Sequence, residues 1–142
     1  MNLSAIVLSA ILGAGQEAAG IDPKQVECVA KAVYHEARGE PEAGQIAVAD
    51  VVVSRAAHGR YRPTPCRVIR QPGQFRWAKW RLPICEPKAF VRAPEIAVRV
   101  MLAGGSGATH FYAPAVVSPS WSASLVEIAQ VGGHRIMAER SR

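Results

Sequence analysis

The densest group of polar side chains in the sequence spans residues 34–40, Tyr-His-Glu-Ala-Arg-Gly-Glu. Within it, Glu36 lies three residues after Val33 and seven after Val29, so it borders the apolar stripe of a predicted helix, in the last turn. Partial burial and the negative end of the helix both disfavour a carboxylate and raise its pKa. A carboxylic acid that is protonated near neutral pH suits a general acid for glycoside cleavage. The alternative is a surface ion pair between Glu36 and Arg38 or another arginine.

A second carboxylate, Glu40, follows four residues later. Because Pro41 disfavours helix at the preceding residue, we expect Glu40 to lie beyond the first helix, where it either caps the next helix or lines a cleft. A paired-carboxylate mechanism needs separations of roughly 5–5.5 Å or 6.5–9.5 Å. The sequence does not define this distance.

Other chemistries lack their motifs. A zinc-protease helix needs a second histidine four residues after His35, where the sequence has Gly39. No Gly-x-Ser-x-Gly segment indicates a serine hydrolase, and no glycine-rich phosphate loop follows a predicted strand. We expect no metal ion and no cofactor, although a scattered His/Glu metal site stays an alternative.

The charge balance is basic, with 17 Lys and Arg residues against 11 Asp and Glu, or +6. Such a chain attracts polyanions: nucleic acid, anionic lipid or acidic cell-wall polymer. The arginines are scattered and no nucleic-acid motif is present. We therefore expect a solvated basic surface and no nucleic-acid partner.

A length of 142 residues, 49% of them hydrophobic, favours one domain. Residues 1–20 form a separate apolar segment, interpreted as a packed helix, a weak signal peptide or a membrane-associating segment through residues 3–14; residues 21–142 form the main domain. No stretch reaches the ~18–20 apolar residues of a membrane-spanning helix.

Three cysteines are too few for a disulfide scaffold. Cys28 falls on an apolar stripe and is interpreted as a small buried hydrophobic residue. Cys66 and Cys85 flank a loop-rich stretch and either pair in an oxidising compartment or stay reduced.

Three helices are predicted to position the polar cluster. The first begins at Asp22, a capping residue followed by Pro23, and stops near Gly39. The second begins at Pro41, and the third runs from residues 93–95 to the glycines at 104–105. Their expected inward residues are Val26, Val29, Ala30, Val33 and Ala37, then Ile46, Ala49 and Val53, then Ile96, Ala97, Val100 and Met101.

The remaining segments predict shorter elements. Residues 57–93 are expected to be loops with short elements, and residues 109–113 and 134–137 a small strand pair. Between the strands, Ser118 and Pro119 are predicted to begin a helix that contains Trp121, Leu125 and Ile128. The fold class is α+β, mostly helical, with a small β element.

Several segments, in order, resemble one known family. The run Glu-Ala-Arg-Gly-Glu-Pro at 36–41 leads into Gly-Gln-Ile-Ala-Val-Ala at 44–49, then Asp50, three valines, Ser54 and Arg55. This opening motif is similar to that of the SleB-like cell wall hydrolases, the spore cortex-lytic enzyme family that also occurs among phage endolysins. The resemblance covers about residues 28–137. Its later landmarks are Tyr61 with Pro63, Cys66 with Val68 and Ile69, the segments 74–77 and 107–112, Pro119 with Trp121, and Gly133 to Arg135.

The resemblance implies a lysozyme-like, lytic-transglycosylase-type fold that acts on peptidoglycan. It implies that Glu36 is the catalytic acid, which protonates the β-1,4 bond between N-acetylmuramic acid and N-acetylglucosamine. The chain departs from the family pattern at Arg76, often Ser, and at Ser54, often Asn, and residues 79–87 fit no family pattern. These departures concern the substrate groove rather than the acid.

Candidate sugar contacts follow from residue chemistry. Gln74 suits N-acetyl groups, and Phe75 and Trp77 suit apolar sugar faces, unless the two aromatic residues are core. If residues 109–113 form a strand, His110 and Tyr112 share one face and Thr109 points to the other. The further candidates are Thr109, His110, Tyr112, Glu40 and His134, which joins them if its segment pairs alongside; for each, a structural hydrogen bond is the alternative.

Two outcomes of the reaction stay open. A transglycosylase needs only Glu36, because the muramoyl 6-hydroxyl attacks internally, whereas a hydrolase needs Glu40 or a positioned water. We expect a monomer that acts on glycan strands in the periplasm or cell envelope, by an undefined export route. The competing class is a basic module that binds wall polymer without cutting it.

Overall fold

Seven α-helices, two short 3-10 helices and three β-strands make up residues 2–140, the part of the chain that the computed structural model describes. The predicted class, mostly helical with a small β element, is confirmed. The helices are α1 (Leu3–Gly13), α2 (Pro23–Ala37), α3 (Glu42–Ala57), α4 (Pro65–Ile69), α5 (Arg76–Lys79), α6 (Pro87–Phe90) and α7 (Arg92–Ala103), with 3-10 turns at Gln16–Ala18 and Ser120–Ser124, and the strands are β1 (Ala108–Tyr112), β2 (Val126–Val131) and β3 (His134–Ala138).

The central helix α2 forms as its capping residues and apolar stripe predict. The Asp22 side chain accepts a hydrogen bond from the Lys24 amide at 2.9 Å, and Pro23 occupies the first turn. Val26, Val29 and Val33 are 0–1% exposed, because α2 packs against α1, α3, α4 and α7. The helix ends at Ala37, which leaves Glu36 in its last turn.

Helix α3 is buried on more sides than its sequence predicts. Ala49 is buried, but Ile46 and Val53 are only partly so, while Val51, Val52 and Arg55 are buried as well. The physical reason is that α3 packs against α2 and α7 on one side and against β1 on another. An amphipathic pattern cannot represent a helix with two buried faces.

The connection from α7 to β1 lies close against α3. The Gly107 amide donates to Ser54 Oγ at 3.1 Å, and a Cβ on Gly105 would lie 2.7 Å from the Ser54 Cα. Only glycine permits so close an approach. Ser54, one of the departures from the family pattern, therefore holds the start of β1.

Helix α1 lies against α2 and α7, with Val7 buried and Leu8 and Leu12 exposed. Within residues 2–140, none of the helices combines the length and the apolar character needed to cross a membrane.

The predicted strand pair is confirmed, and a third strand joins it. The sheet has the order β1-β3-β2 and is antiparallel throughout. The predicted helix with Trp121, Leu125 and Ile128 is wrong: after a 3-10 turn, residues 126–131 form β2. Gly132 and Gly133 make a two-residue turn that pairs β2 with β3, a hairpin signal that overrides the helical spacing.

The disulfide joins a pair of cysteines that the sequence did not suggest. Cys28 in α2 bonds Cys66 in α4, whereas Cys85 is exposed and unbonded. The alternative in which Cys66 pairs with Cys85 is therefore wrong. Cys28 is buried, as predicted, but on the face of α2 that contacts α4, which brings it to Cys66.

Candidate active site

A cleft of about 340 Å³ lies where the C-terminal end of α2 meets α3, the loop before α5, and β1. It is lined by Glu36, Arg55, Gly73, Gln74, Phe75, His110, Phe111 and Trp121. Four of the predicted site residues are thus on the cleft surface, and four residues that line it were not predicted as contacts.

The surroundings of Glu36 favour the protonated form of its carboxyl. Burial raises the pKa of its carboxyl above the ordinary value, and this effect outweighs three opposing ones. The opposing effects are the Trp77 hydrogen bond, then the charges of His134 and Arg55, all of which lower the pKa. The carboxyl at this position of the helix is therefore partly buried and lines a cleft, as the sequence predicted.

The alternative of an ion pair with Arg38 does not describe this carboxyl. The Arg38 guanidinium lies 3.7 Å from Glu86 and 4.6 Å from the centre of the Tyr34 ring. Glu36 and Arg38 therefore have different partners: Trp77 for the carboxyl, and Glu86 and Tyr34 for the guanidinium.

Trp77, which does not line the cleft, forms a hydrogen bond with the Glu36 carboxyl. Its indole Nε1 donates to Glu36 Oε1 at 3.1 Å, although the side chain is only 7% exposed. The His35 ring stacks on the indole at 4.8 Å and the Phe75 ring lies at 5.6 Å. Trp77 is thus a core residue that touches the acid, while buried Phe75 also lines the cleft.

Arg55 is the main residue that sequence reasoning missed. This guanidinium is 6% exposed and donates from Nε to the Thr109 carbonyl at 2.6 Å and from Nη1 to Gln74 Oε1 at 3.0 Å. Burial lowers its pKa, and no carboxylate of residues 2–140 forms an ion pair with it. An arginine that follows three valines in a helix was the available signal.

One side of the cleft is aromatic and is formed by residues of β1 together with Trp121. His110 and Tyr112 both contact Trp121, with ring centres 4.7 Å and 5.5 Å apart, so they share a face as predicted. The pairing with β3 skips Thr109, which is fully buried and whose Oγ1 lies 3.0 Å from His110 Nδ1. Tyr112 does not line the cleft; its hydroxyl accepts from Arg135 at 3.2 Å.

Glu40 and His134 form a pair outside the cleft lining. His134 Nδ1 lies 3.7 Å from Glu40 Oε1, and its ring contacts Phe111 at 5.7 Å rather than His110 or Tyr112. The expected meeting of His134 with those two residues is therefore wrong, because alternate residues of β1 face opposite ways. A Cβ on Gly132 would lie 3.1 Å from Glu40 Oε2, so the hairpin turn packs closely on this carboxylate.

The profile of a family described as "Cell Wall Hydrolase" matches residues 39–136 of the chain. The chain belongs to this family. It is similar to a spore cortex-lytic enzyme of Halalkalibacterium halodurans, with 30% identity over 82% of this chain and 35% of the relative. It is also similar to the Bacillus cereus enzyme of the same name, with 26% identity over 81% of this chain and 44% of that protein.

Two solved structures share the fold. The catalytic domain of the germination-specific lytic transglycosylase SleB from Bacillus anthracis superposes with a TM-score of 0.68 and 26% identity, over 83% of this chain and 97% of that one. The catalytic domain of Bacillus cereus SleB gives the same TM-score and identity, over 92% of its chain. The predicted lysozyme-like, lytic-transglycosylase-type fold and the resemblance to SleB-like hydrolases are confirmed. The chain spans 35–44% of the length of the curated relatives named above.

Proposed function

We propose that residues 21–142 are the catalytic domain of a peptidoglycan-degrading enzyme that cleaves the β-1,4 bond between N-acetylmuramic acid and N-acetylglucosamine as a lytic transglycosylase. The observation that carries this proposal is the carboxyl of Glu36, which lines a cleft and whose pKa burial raises above the ordinary glutamate value. The similarity to a lytic transglycosylase catalytic domain supports it.

In the first step, Glu36 donates its proton to the glycosidic oxygen. The bond from this oxygen to the muramoyl C1 breaks, N-acetylglucosamine leaves as the neutral alcohol, and C1 acquires oxocarbenium character. The Trp77 N–H, bonded to Oε1, keeps the carboxyl oriented and stabilises the carboxylate that the step leaves behind.

In the second step, the carboxylate of Glu36 takes the proton from the muramoyl 6-hydroxyl. The oxygen of this hydroxyl bonds C1, which closes the 1,6-anhydro ring and returns Glu36 to its protonated state. This route needs one carboxylate. It suits a cleft whose lining residues include Glu36 and no other acid, with Glu40 directed instead to His134.

The other predicted residues fall into two groups: those that line the cleft and those that support the lining residues. Gln74, Phe75 and His110 contact the sugar directly, together with Trp121, which the sequence did not suggest. Trp77 and Thr109 position Glu36 and Arg55 through the hydrogen bonds that each makes. Tyr112 supports Trp121, and the Glu40–His134 pair fixes the β hairpin beside the end of α2.

The substrate defines where the enzyme acts. Peptidoglycan glycan strands lie in the cell envelope, and we propose that the protein acts there as a monomer, without nucleic acid as a partner. The positive net charge of +6 favours its approach to the anionic wall.

Glu36→Gln tests the mechanism, because it removes the proton but keeps the shape of the side chain. We expect folded E36Q to lose clearing of purified peptidoglycan by at least about 100-fold. Glu17→Gln is the matched control, because the Glu17 side chain is exposed and does not line the cleft; we expect it to keep wild-type activity. Clearing by E36Q at the wild-type rate would remove the proposal.

Mass spectrometry of the wild-type products then distinguishes the outcomes. Anhydro-muramoyl ends support transglycosylation, and reducing muramic acid ends would instead support hydrolysis. Glycan strands of unchanged length would indicate the competing class, a wall-binding module without activity.

A further inference from the structure

A second cavity, of about 400 Å³, adjoins the cleft and is basic. Arg70 at the end of α4, Lys79 at the end of α5, and Arg81 just beyond line it, together with the buried side chains of Ile69 and Phe75. We call it the basic cavity. Lys79 and Arg81 belong to the segment that fits no pattern of the family, so the sequence resemblance assigns them no role.

The three cations of the basic cavity have no acidic partners. Within residues 2–140, no carboxylate forms an ion pair with Arg70, Lys79 or Arg81. Among the other surface arginines of residues 2–140, Arg38, Arg60, Arg92, Arg99 and Arg135 each pair with a glutamate, whereas Arg62, Arg67, Arg76 and Arg140 do not. Cations gathered in a concave site without counter-ions concentrate a positive potential that attracts an anion.

The backbone at Arg81 is fixed by the C-terminal end of α5, where a left-handed residue is common. Among residues 2–140, Arg81 is the one residue other than glycine with a positive φ, 51°. Such conformations are unfavourable for most residues and persist where the surrounding structure holds them. Here the Arg81 amide bonds the Ala78 carbonyl at 3.3 Å and the Leu82 amide bonds the Trp77 carbonyl at 3.0 Å, which ties the strained residue to α5.

The basic cavity and the cleft share a wall. Gly73 and Phe75 line both, so the basic cavity lies next to the cleft across this short segment. In peptidoglycan, the muramoyl residue carries a peptide stem on its lactyl group, and that stem bears free carboxylates. A stem on a strand held in the cleft therefore arrives at the cations already tethered, at a high effective concentration.

We propose that the basic cavity binds a carboxylate of the peptide stem and so makes the enzyme prefer glycan strands that bear stems. This inference rests on the proposed function. Phosphate on other wall polymers presents the same anionic chemistry to the cations, and the experiment below separates the two sources.

The test compares two substrates and three forms of the full chain. The substrates are purified glycan strands with intact stems, free of phosphate polymers, and the same strands after an amidase has removed the stems. The variant Arg70→Gln/Lys79→Gln/Arg81→Asn removes three charges, with Asn chosen because it tolerates positive φ. The matched control, Arg62→Gln/Arg67→Gln/Lys88→Gln, removes three exposed charges that do not line the basic cavity.

We expect wild type and control to cleave stem-bearing strands with a kcat/KM roughly tenfold above that for stripped strands, or about 1.4 kcal/mol. The cavity variant is expected to cleave both substrates equally, at the stripped-strand rate. If the ratio of kcat/KM on stem-bearing strands to kcat/KM on stripped strands were the same in wild type and in the cavity variant, the inference would be overturned. Whole walls that still carry phosphate polymer are a third substrate, and a loss of activity in the cavity variant on these walls but not on the purified strands would also overturn the inference.

These outcomes are separate from failure of the proposed function. Cleavage of stripped strands by wild type reports the glycosidase activity itself, without any contribution from stems. If stripped strands are cleaved but the stem preference is absent, only the inference fails. If neither substrate is cleaved, the proposed function fails first.

Discussion

At the scale of single residues, the proposed chemistry depends on Glu36 and on two side chains that act on its carboxyl. Burial raises the pKa of Glu36, while the Trp77 N–H and the buried Arg55 lower it. The first effect favours the protonated acid that the proposed reaction starts from, and the second favours the carboxylate that forms once the proton has left. A general acid needs both, because the same group must give and then recover a proton.

Trp77→Phe is expected to shift the pH dependence of activity. The change removes the N–H donor that lowers the pKa of Glu36 but keeps an aromatic ring for His35 and Phe75 to pack against. The pKa of Glu36 then rises further, so the alkaline limb of the kcat profile, where Glu36 loses its proton, moves to higher pH. We also expect kcat near neutral pH to fall about tenfold, because the carboxyl loses its fixed orientation.

Trp80→Phe is the matched control for this prediction, since Trp80 is 61% exposed and makes no contact with Glu36. Its pH profile should overlay that of wild type. An unshifted alkaline limb in Trp77→Phe would show that the hydrogen bond does not act on the acid.

Glu36→Gln is expected to stabilise the fold at high pH. Because burial raises the folded-state pKa, the favourable contribution of the neutral acid is complete below the ordinary glutamate pKa and is lost as pH rises through the folded-state value. Gln stays neutral and can still accept from Trp77. The variant should therefore melt above wild type at about pH 8, with the difference vanishing towards about pH 4.

Thermal melts across this pH range, with Glu17→Gln as the exposed control, measure the effect. A constant difference between E36Q and wild type at all pH values would contradict a buried, titrating acid.

At the scale of elements, the cleft depends on how the segment after α3 is attached to α2. Helix α4 leads into the 70–75 loop, which supplies Gln74 and Phe75 to the cleft. The Cys28–Cys66 bond and the hydrogen bond from the Cys66 amide to Gln25 Oε1, at 2.9 Å, fasten α4 to α2, the helix that carries Glu36. A covalent link thus joins the helix that carries Glu36 to the helix that leads into the 70–75 loop.

Removing this link with Cys28→Ala/Cys66→Ala is expected to destabilise the fold by about 3–4 kcal/mol, the chain-entropy value for a closed loop of this size. The cysteines are 38 residues apart. Urea unfolding measures the loss, and wild type under a reducing agent should show a similar one.

Cys85→Ala is the control for the disulfide prediction, because Cys85 is exposed and unbonded. It should unfold at the wild-type urea concentration. A double variant as stable as wild type under oxidising conditions would contradict the structural role of the bond.

At the scale of the whole molecule, the net charge of +6 is spread over the surface rather than gathered in one block. Such a distribution favours approach to an anionic polymer but does not define a contact. The basic cavity is the place where three of these charges are arranged around a concave site beside the cleft.

Association with the wall is therefore expected to weaken as salt screens the charge. Between about 50 mM and about 500 mM NaCl, pull-down of E36Q by insoluble peptidoglycan should fall several-fold, because exposed charges are screened beyond about 10 Å at 0.1 M. The folded state, followed by circular dichroism, should not change. Binding that is independent of salt would assign the association to the cleft rather than to the surface charge.

Local patterns predicted much of the framework and the position of Glu36 at the end of a helix. The cap at Asp22, the valine stripe of α2 and the proline before α3 act over one or two helical turns, so the sequence alone sets these helices and leaves Glu36 at the end of α2. The motif that begins at Glu36, together with the later landmarks in the same order, indicated the family.

Only the tertiary structure decided the rest, because it depends on contacts between residues far apart in the chain. The Trp77–Glu36 hydrogen bond joins residues 41 apart, and Arg55 reaches the Thr109 carbonyl over a separation of 54. Segment 126–131 has helical spacing, yet it forms a strand because its hairpin turn pairs it with β3. Cysteine spacing likewise could not show that the packing of α2 on α4 brings Cys28 to Cys66. Local propensity sets what each segment can form, and long-range packing selects which side chains meet.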